Sequence, residues 1–324
     1  MLEASTEEGR GDNDDRREQR GSGEGGKGGG KGGYGGKGGG VVGPSKPLKV
    51  KLTRAAVSTD VWSKVNANLQ LIPPDQLRTQ RLVLLLMCGT FNPVHLMHLR
   101  MFYLAKQAME NQGRCHVLGG LLVPLHDSAV RQEIKGHPAE VIPARHRVAM
   151  AQKAVEATSW LGVDPWAASR RSLVGYPTIL RRVQTQADRM YGARAIKVVC
   201  LVNENELAKC NPSMLKRNGC VCVVRPREDT NVGRQVLRWR NVSWVNIVED
   251  LAVVTTILDN TTENKVRRQL MAGKGQVHVC HRHCTDHHTP AIDEMVGVAA
   301  AEYLRTHSIP DKLAGKMPWD EVRM

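Results

Sequence analysis

The sequence predicts an α/β fold, a doubly wound parallel sheet with helices on both faces. Three observations predict it. Five short apolar runs of strand length recur along the chain, stretches with helical apolar spacing lie between them, and the first run ends in a glycine turn that leads straight into a helix. Runs that are apolar throughout, without strict alternation, fit strands buried on both faces. Strand and helix in alternation then place the crossovers on both sides of one sheet, a Rossmann-like arrangement.

The elements follow in chain order. Residues 1–47 hold acidic and basic side chains followed by GGKGGGKGGYGGKGGG, with almost no apolar area to offset the ordering of glycine, so a disordered Gly/Lys-rich tail is expected. It lacks the Arg-Gly-Gly repeats and interleaved aromatics of a strong RNA-binding segment. The folded domain is expected over 48–324. Arg81–Met87 reads as the first strand, and a helix follows from Pro93–Val94, with Pro93 at its first position and Leu96, Leu99, Phe102 and Ala105 at 3–4 spacing. Asn111 and Gly113 stop it. His116–Leu125 is a second strand and Pro143–Trp160 a second helix. Strands are expected over Ala195–Val202, Gly219–Val224 and Ser243–Val248, and a last helix over Pro290–His307.

Composition narrows the function. Seventeen of the 31 glycines fall in residues 1–43, and the rest of the chain is of ordinary globular composition. No stretch reaches the roughly 18–20 apolar residues of a membrane span. Of the formal charge of +14, residues 1–50 carry +1 and the remainder +13, so the folded body is the basic part. That favours an anionic partner, whether nucleotide, nucleic acid or acidic surface. Nucleic acid is disfavoured, because no recognition-helix, stacking-platform or zinc-finger pattern is present. Eight cysteines are too few for a disulfide scaffold, and the acidic N-terminus is neither a secretory signal nor a transit peptide. Free thiols and a cytoplasmic or nuclear location are expected, with Cys220 and Cys222 as small core residues.

The chemistry concentrates in Gly89–Arg100, GTFNPVHLMHLR, at the carboxyl end of the first strand. Exposed N–H groups of such a turn and helix start make a phosphate site, and Gly89 allows close approach of a ligand. His95 and His98, three apart, would share one face and donate to phosphate oxygens. A glycine turn alone is common, and two histidines three apart also suit a metal pair, but no third ligand lies nearby. Gly89, Thr90, Phe91, Pro93, His95 and His98 together favour phosphate.

These residues resemble the G-[ST]-F-N-P-x-H/T-x-x-H signature of the nucleotidyltransferase α/β superfamily. The continuation HLRMFYLAKQAME looks most like the nicotinamide/nicotinate mononucleotide adenylyltransferase family. IPARHRVAM (142–150), GVDPW (162–166), DNTTENKVRRQL (259–270) and AEYLRTHSIP (301–310) resemble further motifs of that family, in order along the chain.

The resemblance implies that ATP and nicotinamide mononucleotide (NMN), or its nicotinate counterpart, give NAD or the acid analogue plus pyrophosphate. The 5′-phosphate attacks the α-phosphorus in line, and Mg²⁺ bridges the phosphates. It implies catalytic roles for His98 on the α-phosphate, His95 beside it and Arg267 on the triphosphate. Gly89, Thr90, Phe91, Trp166, Asn203, Asn264, Lys265 and Val266 form the implied nucleotide-binding set, with Trp166 stacked on the pyridine ring. The family's enzymes are commonly homo-oligomers.

The chain departs from the family's pattern in three places. Pro124 and Asp127 of the S-P-V-x-D-x-Y-x-K motif stay, but Ala129 stands at the tyrosine position and Arg131 is the nearest base to the missing lysine. Asn203 replaces the strand-end aspartate, and 206–218 reads as a short polar replacement for a helix. The Ser-Ser-Thr trio reads Thr262, Glu263 and Asn264, which sets a carboxylate against triphosphate. These departures motivate an alternative, a catalytically degenerate relative with a binding, structural or regulatory role. Separately, HVCHRHCTDHH (278–288) concentrates metal-ligand types; Cys280, Cys284 and His287 have the spacing of a small zinc site, and a solvated loop fits the same composition.

Overall fold

The protein is described from a computed structural model, which describes residues 59–113, 115–135, 137–210, 212–224, 239, 242–250, 263–271, 295–316 and 319. The 1–47 tail and the Cys280, Cys284 and His287 cluster lie outside these residues.

Six parallel strands form one sheet in the order β3-β2-β1-β4-β5-β6. They are β1 (Arg81–Gly89), β2 (Cys115–Pro124), β3 (Leu161–Val163), β4 (Ile196–Asn203), β5 (Cys220–Val224) and β6 (Val245–Glu249). β1 pairs with β2 from Arg81↔Cys115 to Gly89↔Pro124 and with β4 from Leu82↔Ile196 to Leu86↔Cys200. The chain winds outward from β1 in one direction, then returns past it to β4 and winds outward in the other. β1 and β4 therefore flank the switch point, where crossovers diverge and leave a crevice outside the carboxyl ends of the strands.

Alternate β1 side chains enter two cores. Val83, Leu85 and Met87 pack with Leu99, Phe102 and Ala105 of α3 (Leu96–Glu110), with Met150 and Ala151 of α5 (Ala144–Val155) and with Ala301 and Leu304 of α10 (Val298–Thr306). Leu84, Leu86 and Cys88 pack with Val61 and Val65 of α1 (Thr59–Gln70) and with Ile179, Leu180 and Val183 of α6 (Tyr176–Tyr191). The remaining described helices are α2 (Pro74–Thr79), α4 (Asp127–Glu133), α7 (Glu204–Lys209), α8 (Pro212–Asn218), α9 (Glu263–Met271) and α11 (Ile309–Leu313). Gly120 permits the close packing of β2 on α3. A Cβ there would lie 2.6 Å from the Phe102 ring and 2.5 Å from Leu161.

Several boundaries differ from expectation, each for a local reason. α3 starts at Leu96 and not at Pro93, because His95 is its N-cap and residues 92–93 form a turn. The Pro143–Trp160 segment ends its helix at Val155, since Leu161–Val163 adds a strand beside β2. The polar replacement read over 206–218 holds two short helices, α7 over Glu204–Lys209 and α8 over Pro212–Asn218, the first started by the Asn203 side chain accepting from the Glu206 N–H at 2.8 Å. Of the expected helix Pro290–His307, residues 290–294 lie outside the described residues; Met295 and Val296 are helical, Gly297 at φ +86° interrupts the helix, and α10 runs on from Val298.

Six cysteines are described, all free; Cys88, Cys115, Cys200, Cys220 and Cys222 are buried and Cys210 is half-buried. Among the described residues, no helix is long and apolar enough to cross a membrane.

Candidate active site

Three elements converge on the crevice. The turn after β1 brings Thr90 and Asn92, α3 brings His95 and His98, and the first two turns of α9 bring Glu263, Asn264 and Arg267. Asn203 and Glu204 close it at the end of β4, and Glu133 from the end of α4 faces them across a cavity of about 330 Å³.

Sequence dictates the turn's shape. Phe91 adopts a left-handed φ of +45° and is fully buried, which folds its ring back to 3.0 Å from where a Gly89 Cβ would stand. A side chain at position 89 would thus crowd the chain's own Phe91, so the glycine serves the packing of the turn as well as the approach of a ligand. The Phe91 ring meets His98 edge-on, with centroids 4.9 Å apart. Asn92 pins the turn to the segment before α5: its Nδ2 donates to the Glu140 carbonyl at 3.0 Å and its Oδ1 accepts from the Ile142 N–H at 2.9 Å.

Arg147, within IPARHRVAM, has no role legible from the sequence, and it holds the floor. Its fully buried guanidinium donates to the carbonyls of Thr90 (2.5 Å), Leu125 (2.6 Å) and Ile142 (2.9 Å) and to Asp127 (2.7 Å). One side chain thereby ties the ends of β1 and β2 to α5. Burial pulls its pKa down, while Asp127 opposes the shift.

The two histidines sit differently from two helix-face neighbours. They form a reciprocal cap at the start of α3, with rings stacked at 3.7 Å. The His95 N–H donates to His98 Nδ1 at 3.1 Å. A neutral His98 ring then carries its proton on Nε2, which faces the cavity 3.9 Å from Glu263. His98 keeps 17% of its side chain exposed, whereas His95 is 3% exposed, so His98 is the reachable ring and His95 orients it.

Arg267 is 2% exposed and braced on three sides. Nε donates to Glu140 at 3.1 Å, Nη1 to the Asn92 carbonyl at 2.6 Å, and Nη2 to Asn264 Oδ1. Two of its five N–H groups remain for a ligand. Glu263 occupies the centre. Its carboxyl accepts from Thr90 Oγ1 at 3.1 and 3.2 Å and from the Asn92 N–H, and it lies 3.7 Å from Arg267 Nη1. Burial, and then the nearby Glu133, raise its pKa to about 7.

Other implied residues fall elsewhere. Val266 is fully buried and packs into the core, and Lys265 is on the exposed side of α9; neither lines the cavity. Trp166 is half-buried beyond β3, with the guanidinium of Arg182 4.5 Å and that of Arg170 5.3 Å from its ring. The Trp166 backbone N–H donates to the buried Asp164, which also holds Arg182 at 2.5 Å. The carboxylates Glu133 and Glu204 are not legible in the sequence, because nothing local signals that the end of α4 and the start of α7 meet at one crevice.

The family described as Cytidylyltransferase-like matches residues 86–283. A nicotinamide/nicotinic acid mononucleotide adenylyltransferase of Arabidopsis thaliana is 29% identical over 196 residues, 57% of this chain and 76% of that protein. Nicotinamide/nicotinic acid mononucleotide adenylyltransferase 2 of Danio rerio is 42% identical over 88 residues, 27% of each chain, so the match spans about a quarter of that relative. Among solved structures, Plasmodium falciparum nicotinic acid mononucleotide adenylyltransferase complexed with NaAD aligns over 71% of this chain and 98% of that chain, with 9% identity and a TM-score of 0.45.

Proposed function

We propose that this chain, which belongs to the cytidylyltransferase-like family, transfers the adenylyl group of ATP to NMN or its nicotinate counterpart, giving NAD or the acid analogue and pyrophosphate. The observation that carries the reading is the convergence of His98, the turn after β1 and Arg267 at the β1/β4 switch point, a place built for a phosphate chain.

The reaction needs no protein nucleophile. An oxygen of the 5′-phosphate bonds to the α-phosphorus while the bond to the bridging oxygen of pyrophosphate breaks, so positioning and charge stabilisation do the work. Thr90 Oγ1 and the Asn92 N–H would present two donors from the turn after Gly89 and Phe91, and His98 Nε2–H a third. Arg267 would turn its two remaining N–H groups to the β- and γ-phosphates, with Asn264 fixing its plane and Lys265 and Val266 carried on the same helix. Asn203 would contribute an amide at the end of β4, and Trp166 an aromatic face for the pyridine ring.

Mg²⁺ is proposed to arrive with ATP. Among the described residues no three His, Cys, Asp or Glu side chains gather to hold a metal ion, so the cation would ride on the phosphates and neutralise their charge. The folded catalytic unit is proposed as 48–324, with 1–47 a dispensable tail and a homo-oligomer as the assembled form, in the cytoplasm or nucleus.

The test is detection of NAD or its acid analogue from ATP and each mononucleotide with Mg²⁺ present. Turnover with at least one is expected, and His98→Ala should lower kcat/KM by about 100-fold or more, the loss typical of a single preorganised donor. No product from either mononucleotide would sink the reading. Deleting residues 1–47 should leave turnover unchanged, and sedimentation checks the assembly.

A further inference from the structure

The donors that would receive a phosphate are already facing an acid of the protein's own. Both oxygens of the Glu263 carboxyl lie within 3.2 Å of Thr90 Oγ1, and the Asn92 N–H also donates to it. His98 Nε2 and Arg267 Nη1 stand at 3.9 and 3.7 Å. A phosphate entering this cradle must take over the same donors and meets the carboxyl at contact distance. If the carboxyl is ionised, two anions then share one small site, which is costly where water is scarce. If it is neutral, its one O–H becomes a donor.

We infer that Glu263 acts as a neutral carboxylic acid that donates a hydrogen bond to a nucleotide phosphate, and that its ionised form bars that phosphate from the cradle. This makes Glu263 a substrate-binding residue and rests on nucleotide phosphates being the ligand of the crevice.

The surroundings decide which form prevails. Favouring the neutral acid are burial and then the carboxylate of Glu133 at the end of α4; Glu204 at the start of α7 also lines the cavity. Opposing it are Arg267 on its own helix and, from α5, the buried Arg147. Arg267 is committed to Glu140 as well, which dilutes its pull on Glu263. His98 faces the carboxyl from α3 as a donor. The balance leaves a carboxyl titrating at about pH 7, so both forms are accessible near neutrality.

Equilibrium dialysis of ATP with excess Mg²⁺ against the full chain tests this at pH 6 and pH 8, for the wild type, Glu263→Gln and Glu263→Ala. When only the protonated form binds, apparent affinity follows its population, about nine-tenths at pH 6 and one-tenth at pH 8, so wild-type affinity should fall about tenfold. Glu263→Gln, an isosteric amide donor, should hold the wild-type pH 6 affinity at both pH values. Glu263→Ala should be equally flat but several-fold weaker.

Three results would overturn the inference. They are a wild-type pH response no steeper than that of Glu263→Gln, Glu263→Ala matching Glu263→Gln, or Glu263→Gln binding more weakly than wild type at both pH values, as a carboxylate wanted by the cation would require. Circular dichroism confirms that each variant is folded. Because binding and not turnover is read, the expected pattern without product formation would uphold this role while rejecting the proposed reaction. Turnover with a flat wild-type profile would do the reverse.

Discussion

Glu263 also links folding to proton concentration. The folded chain keeps its carboxyl protonated up to about pH 7, whereas an unfolded chain releases that proton at the ordinary value near 4.5. The raised value means that the folded state holds the extra proton between those limits. Stability from this group is fully present below about pH 4.5 and is lost as pH rises through about 7, by on the order of 3 kcal/mol. Urea midpoints should therefore fall for the wild type from pH 5.5 to pH 8 more steeply than for Glu263→Gln; equal slopes would refute the assignment. Arg147 gives a second prediction. Arg147→Ala strips the Thr90 and Leu125 carbonyls and Asp127 of a buried donor and should cost about 3–5 kcal/mol in urea unfolding. Arg147→Lys should recover only part, because an ammonium cannot span four acceptors. The sequence made Thr90, His98 and Arg267 visible as chemical types at a strand end and in a late helix. It could not show that Arg147 is buried or that Glu263 fills the cradle, since the first depends on the ends of β1 and β2 meeting α5 and the second on a turn 173 residues away.

At the scale of elements, legibility followed length and surroundings. β1, β2, β4, β5 and β6 were readable because each is a run of five or more residues bounded by polar or turn-forming chain. β3 has three residues, too short for any pattern, and exists because its partner β2 offers an open edge. α6 was passed over although Ile179, Leu180, Val183, Ala187 and Tyr191 keep helical spacing; its exposed face is so rich in Arg and Gln that the segment resembles a loop in composition. The α3/β2 contact gives the prediction for this scale. Gly120→Val would drive a branched side chain into Phe102 and Leu161, and should destabilise the protein by about 2 kcal/mol or more, read as a lowered urea midpoint. An unchanged midpoint would mean that the helix yields freely.

For the whole molecule, the excess of positive charge has a location. At the amino ends of the strands, opposite the crevice, Arg81, Arg181, Arg194, Lys197, Lys216 and Arg217 line an open cleft of about 1560 Å³ in which Asp188 is the one acid. Among the described residues none of these six makes an ion pair, and Asp188 is occupied by Gln184 and the Arg194 N–H. Burial first, and then the like charge of Arg81, pull the Lys197 pKa down. Raising salt from about 50 to 500 mM should raise the melting temperature by screening this repulsion, and Lys197→Gln should reduce that gain. The basic body was legible as a number in the sequence, but its division between a crevice holding three glutamates and a distant cationic cleft was not. The buried thiols carry one more consequence. Burial raises the pKa of Cys88, Cys115, Cys220 and Cys222, and that of Cys200 to about 12, so these sulfurs are both hidden and unreactive while the sheet is closed. Cys210 is the accessible one of the six. A thiol reagent followed by peptide mapping would thus mark Cys210 at once and the sheet cysteines only as their strands part, which gives the protein an intrinsic stopwatch for the order in which its layers open.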